Sequence, residues 1–337
     1  MSEPLKSRDT NDHPSFEGPR IDSGSEFLTS GNAPGLLADA VTPGGDDREF
    51  TVEARGQWSQ VLRRFRQHRL AVVSIFVLLL VVLFAFVGSW VWHYRPTAVT
   101  NDLSVPPSWT HPFGTDANGY DTMAQVMAGT QTSLLIAFSV AIVATFIGTI
   151  FGAVAGYYRG TADTLMMRFV DLMLTIPALA VGALLGKKFG ATSWWLLAAV
   201  LAGLAWAAVS RVIRGQVLSI REKEYVEAAR ALGASDRRII LRHIIPNVAG
   251  SLIVLFTLAV ASAILAETAL SFLGFGVQFP NMSLGSLISD GETAAVGGRG
   301  WLFYFPGLFI ILIALSVNFI GDGLRDALDP TQTKVRA

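Results

Sequence analysis

Residues Glu224–Asn247 read EYVEAARALGASDRRIILRHIIPN and form a charged block between two apolar runs. Each apolar run is long enough to cross, or nearly cross, a membrane. The first half of the block is rich in Ala, Leu, Glu and Arg, which favour helix, and Gly233 is suited to a left-handed stop. Ser235 and Asp236 are expected to cap a second short helix that Pro246 closes. The pattern predicts a helix–turn–helix hairpin held at the membrane surface.

The composition of the chain indicates a membrane protein. Of its 337 residues, 51% are hydrophobic and 15% are charged, whereas soluble domains average about 25% charged residues. Basic and acidic residues are equal in number, 26 each, which argues against a nucleic-acid partner. The absence of cysteine excludes disulfides, thiolate metal sites and a cysteine nucleophile. The lipid bilayer is therefore the expected surrounding of most of the chain.

The first 57 residues differ from the rest. Up to Phe50 they contain ten acids and four bases, amid many Gly, Ser and Pro. This mixture has too little apolar surface to bury a core, and it predicts a disordered acidic tail in the cytoplasm. No basic-then-apolar start is present, so a cleaved signal peptide is not expected. The predicted order is this tail over 1–57, a membrane domain over 58–330 and a C-terminal cytoplasmic tail over 331–337.

Six apolar runs are predicted to span the membrane, and residues 96–131 are too polar to span. Arginines cluster before the first run and across residues 211–242, which places the hairpin and both termini in the cytoplasm. The third run has Pro177 near its middle, and the sixth is expected to be broken by Pro306. The predicted spans are 70–92, 133–158, 169–186, 194–210, 248–273 and 301–321.

The hairpin resembles the EAA loop of permease subunits in bacterial ABC importers. The resemblance lies in Glu227-Ala228-Ala229, followed by Gly233 and Pro246. In that family the loop carries a coupling helix that seats in a groove of a cytoplasmic ATPase. An ordinary amphipathic cytoplasmic hairpin is the alternative. The resemblance implies an ATPase-coupling site formed by Glu224, Glu227, Ala228, Ala229, Gly233 and Pro246.

Further motifs, in the same order along the chain, are similar to the C-type permeases of oligopeptide and dipeptide importers. They are His111–Asp116 with Gly119–Asp121, Gly156–Pro177, Glu267–Gly276 and Gly321–Pro330. The chain departs from that family at Tyr120, Gln125 and Gln131, where arginine is usual. Whatever those arginines do in relatives is therefore not carried over to this chain.

The resemblance implies an all-α integral membrane subunit with six transmembrane helices, the type I ABC importer permease fold and a cytoplasmic coupling helix. It implies half of an ATP-driven import pathway for di- or oligopeptides in a bacterial inner membrane. The implied partners are a second, B-type permease subunit, two cytoplasmic ABC ATPases and an extracytoplasmic substrate-binding protein. ATP and magnesium would bind to the ATPases, so no cofactor, metal or catalytic residue is expected on this chain.

A stripe of small residues marks the second span. Its glycines recur every four residues and so share one helix face; they are Gly148, Gly152, Gly156 and Gly160. Small residues at this spacing let helix backbones approach closely in lipid. Packing within the subunit or with a partner is predicted, and a ligand-binding stripe is the alternative.

Two carboxylates inside predicted spans, Asp171 and Glu267, are candidates for the translocation pathway, because an ionised side chain there needs water or a partner. For Glu267, a locally bonded carboxyl near the interface is the alternative. For His93 and His111, a structural or solvated imidazole is favoured over a metal ligand, since neither cysteine nor clustered acids complete a site.

Other functions stay open at this stage. Relatives of this family also carry nickel or other metal chelates and haem, so the cargo is not determined by the sequence. An ion-coupled secondary transporter would use the same carboxylates for coupling. A membrane enzyme would use them together with Asp322 as acid–base groups, but no paired-acid motif supports it.

Overall fold

The computed structural model describes residues 57–189 and 193–328. These residues form ten helices, with the bounds α1 Gln57–Gln67, α2 Arg69–Val91, α3 Thr122–Tyr158, α4 Gly160–Thr175, α5 Ala178–Phe189, α6 Trp194–Ile220, α7 Glu224–Ala231, α8 Asp236–Phe272, α9 Leu284–Val296 and α10 Trp301–Leu328. Between α2 and α3, the backbone forms two isolated bridges. The predicted tails over 1–57 and 331–337 lie outside the described residues, apart from Gln57.

Five of the described helices (α2, α3, α6, α8 and α10) are long and apolar enough to cross a membrane, and α4 with α5 makes a sixth span if the bent pair counts as one. The first predicted span, 70–92, corresponds to α2. The protein is therefore an all-helical, multi-pass membrane protein within the described part of the chain.

The third predicted span, 169–186, is not one straight helix. Its residues belong to α4 and α5, whose axes differ by 72°. Ile176 has an extended backbone (φ −75°, ψ 122°), as expected for a residue before proline, and Pro177 follows it. Pro177 therefore divides the span into two helices.

The second and fourth predicted spans are longer than expected. Helix α3 begins at Thr122, because the buried Asp121 carboxylate accepts a hydrogen bond from the Ala124 N–H (2.8 Å) and caps it. Helix α6 continues past Ser210 to Ile220. The extension of α3 contains buried polar residues such as Gln125 and Thr130, which a hydropathy pattern does not reveal.

Neither of the two prolines expected to end or break a helix does so. Pro246 lies within the continuous helix α8, where a π-helical turn over Ile240–Ile244 precedes it. Pro306 lies inside α10, where it leaves the Leu302 carbonyl without its usual N–H partner four residues on. Gly291 of α9 packs against that carbonyl, since a Cβ there would lie 2.4 Å from its oxygen.

The core is built around α3. Helices α3 and α6 pack against each other more extensively than any other pair of helices, and α8 also packs on α3. Helix α10 joins α8 to α2, and α9 lies across α10 near the end of the bundle away from the hairpin. The largest cluster of buried apolar residues joins α3, α6, α8, α9 and α10.

Candidate functional site

The hairpin turn after α7 is a Schellman motif. Gly233 has φ +81°, its N–H bonds to the Arg230 carbonyl, and the Ala234 N–H bonds to the Ala229 carbonyl, both at 3.0 Å. A Cβ at Gly233 would meet no atom within 4 Å. Glycine is therefore required here by the left-handed backbone and not by lack of space.

The second half of the hairpin differs from the sequence-based prediction. Ser235 lies at the N-cap of α8, but its side chain makes no capping hydrogen bond. Asp236 accepts a hydrogen bond from another helix instead of capping its own. Pro246 does not close a short helix, and the Asn247 side chain donates to the His243 carbonyl (2.6 Å) beside it. The hairpin thus continues directly into the membrane helix α8.

The hairpin is seated on the ends of α3 and α6 by a small apolar core. Val226 of α7, with Ile239 and Ile244 of α8, is fully buried against Ile213 and Val217 of α6. Burial of each such side chain contributes about 1.5–3 kcal/mol relative to an exposed one. The hairpin is therefore packed onto the membrane helices as a rigid extension of them.

Tyr157, in the last turn of α3, reinforces this seat. Its hydroxyl donates to Oδ1 of Asp236 at 2.7 Å. The guanidinium groups of Arg221 and Arg230 lie over its ring, 5.8 and 5.7 Å from the centroid. Arg221 also donates to the Tyr157 carbonyl. One aromatic side chain thereby joins α3, α6, α7 and α8.

The opposite face of the hairpin is exposed in this chain. Leu232 is 89% exposed, and Ala229 is half-buried. The remaining residues of the expected coupling site are exposed, namely Glu224, Glu227, Ala228, Gly233 and Pro246. The short helix therefore exposes small and acidic residues, while its apolar side is packed against the bundle.

Asp171 is joined to α6 by an ion pair. Its carboxylate accepts from Arg211, and both side chains are about half exposed, at 47% and 55%. A second pair on the same helices is more buried, since Asp163 accepts from Nε and Nη2 of Arg214 at 2.6 and 2.7 Å. Asp171, which was expected in the pathway, is therefore one of two α4 acids whose ion pairs join α4 to α6.

Glu267 is fully buried within α8. Its carboxyl accepts from the hydroxyls of Ser271 (2.7 Å) and Ser133 (3.1 Å), and Ser133 in turn accepts from the Leu284 N–H (3.1 Å). The structure favours the alternative to a pathway role, because protein groups enclose the side chain. The geometry is that of the locally bonded carboxyl, which connects α8, α3 and α9.

Three of the four stripe glycines lie against α6. A Cβ would lie 2.6 Å from Val209 Cβ at Gly148, 2.5 Å from the Ser210 oxygen at Gly152 and 2.9 Å from the Arg214 oxygen at Gly156. Gly160 is not part of this face. It is the first residue of α4, with φ +65°, and a Cβ there would meet no atom within 4 Å.

Tyr120, Gln125 and Gln131 stand at the positions where the C-type permeases usually have arginine. The structure gives them two kinds of surroundings. The Gln131 amide donates to the Ala85 carbonyl (2.6 Å) and the Ser89 hydroxyl (3.0 Å), in and next to the π-helical turn of α2. Tyr120 and Gln125 line a cavity at the end of the bundle away from the hairpin.

The segment before α3 contains a buried imidazole between two acids. The ring nitrogens of His111 lie 2.7 Å from Asp121 Oδ1 and 3.2 Å from Asp102 Oδ2. Tyr94 stacks on the ring at 4.6 Å, and Trp92 donates to Asp121 at 2.9 Å. Both nitrogens of His111 thus face carboxylates, which suits a structural role in fixing this segment to α3.

Sequence reasoning missed several residues of this arrangement. The Tyr157–Asp236 and Ser133–Glu267 contacts join residues 79 and 134 positions apart. For the Ser133–Glu267 contact, the available signal was an acid, Glu267, inside an apolar run of the sequence. No local pattern marks the first one, because tyrosine is common at membrane interfaces.

Known proteins resemble this chain over most of its length. The family described as binding-protein-dependent transport system inner membrane component matches residues 148–334, and the N-terminal TM domain of oligopeptide transport permease C matches residues 56–107. An inward-facing structure of the MetNI methionine ABC transporter has a TM-score of 0.48 and 18% identity, over 60% of this chain and 95% of that one.

Two relatives illustrate the similarity in sequence. The oligopeptide transport system permease protein OppC of Mycobacterium tuberculosis H37Rv is 44% identical over 82% of this chain and 95% of its own length. The dipeptide transport system permease protein DppC of Bacillus subtilis is 38% identical over 80% of this chain and 84% of its own. The chain belongs to the inner membrane components of binding-protein-dependent transport systems, and within them to the oligopeptide and dipeptide ABC permeases.

Proposed function

We propose that this chain is a transmembrane permease subunit of an ATP-driven importer of di- or oligopeptides. Family membership supports this, and so do the names of relatives at 35–44% identity. Those names favour peptides over metal chelates or haem as cargo. The chain would form half of the pathway and break no bond itself.

The proposed partners follow the family. They are a second, B-type permease subunit, two cytoplasmic ABC ATPases that bind ATP and magnesium, and an extracytoplasmic substrate-binding protein. Both termini of this chain and the α7–α8 hairpin would lie in the cytoplasm, in agreement with the arginine excess of residues 211–242.

The proposal rests on one observation, namely that the hairpin has one side packed on the membrane helices and one side exposed. Its inner side is packed onto α3 and α6 through Val226, Ile239 and Ile244, whereas its outer side exposes Glu227 and Ala228. A hairpin docked on an ATPase would therefore transmit a displacement to both helices, because the apolar seat resists independent motion. ATP-driven closure of the ATPases would then switch the spans between inward- and outward-open states.

The experiment compares two glycines that both have a left-handed backbone, with φ above zero. Gly233 (φ +81°) and Gly298 (φ +83°) both have open space at the Cβ position, but Gly298 lies between α9 and α10, away from the hairpin. A strained residue at either position costs about 1–3 kcal/mol, a factor of about 5 to 150 in an equilibrium. Gly233→Val should lower co-purification of the ATPases and ATP-dependent peptide uptake in reconstituted vesicles.

Gly298→Val is the control and should retain the ATPases. Insertion in the membrane and association with the partner permease should be normal for both variants. If Gly233→Val bound the ATPases fully and took up peptide at the wild-type rate, the hairpin would not be the coupling element.

A further inference from the structure

A cavity of about 690 Å³ lies at the end of the bundle away from the hairpin. It is bounded by the segment before α3, the first turns of α3, helix α9 and the start of α10. Two carboxylates line it, Asp116 from that segment and Asp290 from α9. The volume is in the range of small-ligand sites in proteins.

The two carboxylates are not neutralised within the described residues. Oδ1 of Asp116 accepts from the Asn118 and Tyr120 N–H groups (2.9 and 2.8 Å), while the Asp290 carboxylate takes part in no side-chain hydrogen bond or ion pair there. Partial burial, and secondly the charge of Asp116, raise the pKa of Asp290 above its ordinary value. Arg299 also lines the cavity, but it donates to Ser104 (3.0 Å) and pairs with neither acid.

An unpaired buried hydroxyl lines the same cavity. Thr122 is only 2% exposed, and its Oγ1 atom has no hydrogen-bond partner in the described structure. A buried hydroxyl without a partner is unfavourable by about 1–3 kcal/mol. The Oγ1 atom has less than 1 Å² of accessible surface, so a ligand that donates a hydrogen bond to it removes this cost only when the covering side chains move aside.

Aromatic rings complete the lining. Tyr120 and Phe279 both line the cavity, with their ring centroids 5.9 Å apart. Aromatic faces attract ammonium and guanidinium groups through their negative π surface. Carboxylates, a hydroxyl acceptor and aromatic rings together favour a cation that donates hydrogen bonds.

We propose that this cavity binds an ammonium or guanidinium group between Asp116 and Asp290, with Thr122 Oγ1 as a further acceptor. The inference rests on the proposed import function, because that function identifies the molecules that could carry the group. One source is the free amino terminus of a peptide cargo, and the other is a Lys or Arg side chain of the substrate-binding protein as it docks.

The first arm of the test measures binding without transport. Alanine tripeptide with a C-terminal fluorophore, and its N-acetyl form, are titrated against the purified complex of both permeases and the ATPases. The wild type should bind the free amine more tightly, and Asp290→Asn should reduce that preference by about fivefold, the upper range for a partly exposed ion pair. Glu292→Gln removes the same charge from an exposed position of α9 and should leave the preference unchanged.

Thr122→Val separates ligand binding from folding. The hydroxyl has no partner among the residues that the structure describes, so its loss should leave the thermal stability of the complex equal or higher. Binding of the free-amine peptide should nevertheless weaken. The second arm measures the affinity of the substrate-binding protein for the same variants, and a loss confined to that arm identifies a basic side chain of that protein as the source.

The proposal is overturned if Asp290→Asn and Thr122→Val match the wild type in both arms. Peptide uptake in vesicles is measured separately with the wild type and Glu292→Gln. A complex that binds the free amine but imports no peptide would contradict the proposed import function while supporting the chemistry of the cavity.

Discussion

The hydroxyl of Tyr157 donates to Asp236 at 2.7 Å, which joins the last turn of α3 to the first turn of α8. Asp236 belongs to the hairpin, and Tyr157 ends the helix around which the bundle is built. Tyr157 is buried, at 4% exposure, and two guanidinium groups lie over its ring. This contact joins the hairpin to the membrane helices at a specific point.

Tyr157→Phe should loosen the hairpin without unfolding the bundle. The change removes one hydrogen bond to a carboxylate, an effect of about 1–2 kcal/mol at a partly exposed acceptor. We expect faster amide hydrogen exchange over residues 224–246 and less peptide uptake per ATP hydrolysed. Tyr158→Phe, at a neighbouring exposed ring, is the control. Equal exchange rates in the two variants would show that the Asp236 contact does not hold the hairpin.

Gly152→Leu should disrupt the packing of α3 on α6. A side chain there meets the Ser210 backbone oxygen and Ile213, which are parts of a helix and cannot move separately. Overpacking of this kind costs about 1–3 kcal/mol or more. Gly203→Leu is matched in residue change, but a Cβ at Gly203 meets nothing within 4 Å. Thermal unfolding of the purified complex should distinguish the two variants, and equal melting temperatures would contradict the close packing.

The two ion pairs between α4 and α6 should differ in strength. Asp163 is buried and bound by both nitrogens of the Arg214 fork, whereas Asp171 and Arg211 are both exposed. Asp163→Asn should destabilise the complex by about 1–3 kcal/mol, because it leaves a partly buried guanidinium unpaired. Asp171→Asn should change stability by about 0–1 kcal/mol. Altered uptake in Asp171→Asn at unchanged stability would support a role of Asp171 in the pathway.

Glu267 should act as a structural connector. Glu267→Ala would create a cavity and leave the hydroxyls of Ser133 and Ser271 without their acceptor, at a cost of about 2–5 kcal/mol. Glu267→Gln keeps one acceptor oxygen and nearly the same shape, so assembly and uptake should stay near normal. The measurement is the yield and melting temperature of the complex, with uptake alongside. Normal stability but altered transport in Glu267→Gln would restore the pathway role.

The charge of Asp290 should oppose folding at neutral pH. Its pKa is raised in the folded protein by burial and by Asp116, so ionisation is less favourable there than in the unfolded chain. Asp290→Asn should therefore be at least as stable as the wild type at neutral pH. Its advantage should shrink as the pH falls through the raised pKa, where Asp290 is already protonated. A wild type that is more stable than the variant at neutral pH would contradict this sign.

Several features could be predicted from the sequence because they depend on local properties. Uncharged runs determine where helices cross the membrane, and Gly233 stops α7 because its backbone is left-handed. The spacing of Gly148, Gly152 and Gly156 places them on one helix face. These properties belong to single helices and turns, so a window of residues contains the necessary information.

Other features depend on which helices become neighbours. Pro246 and Pro306 lie inside continuous helices because a π-helical turn and a packed carbonyl accommodate them. Gly160 shares the spacing of the stripe but lies beyond the end of α3, where a turn takes it off the face. A pattern rule for proline or glycine contains no information about these surroundings.

The sequence by itself determined the class of protein, the order of the apolar runs and the location of the hairpin, since hydropathy and backbone preferences act locally. Only the tertiary structure decided what each charged residue contacts. Glu267 is bonded to serines of α3 and α8, and Asp290 lines the same cavity as Asp116. The energy of a buried charge is set by neighbours far away in sequence, and those neighbours exist only once the helices have packed.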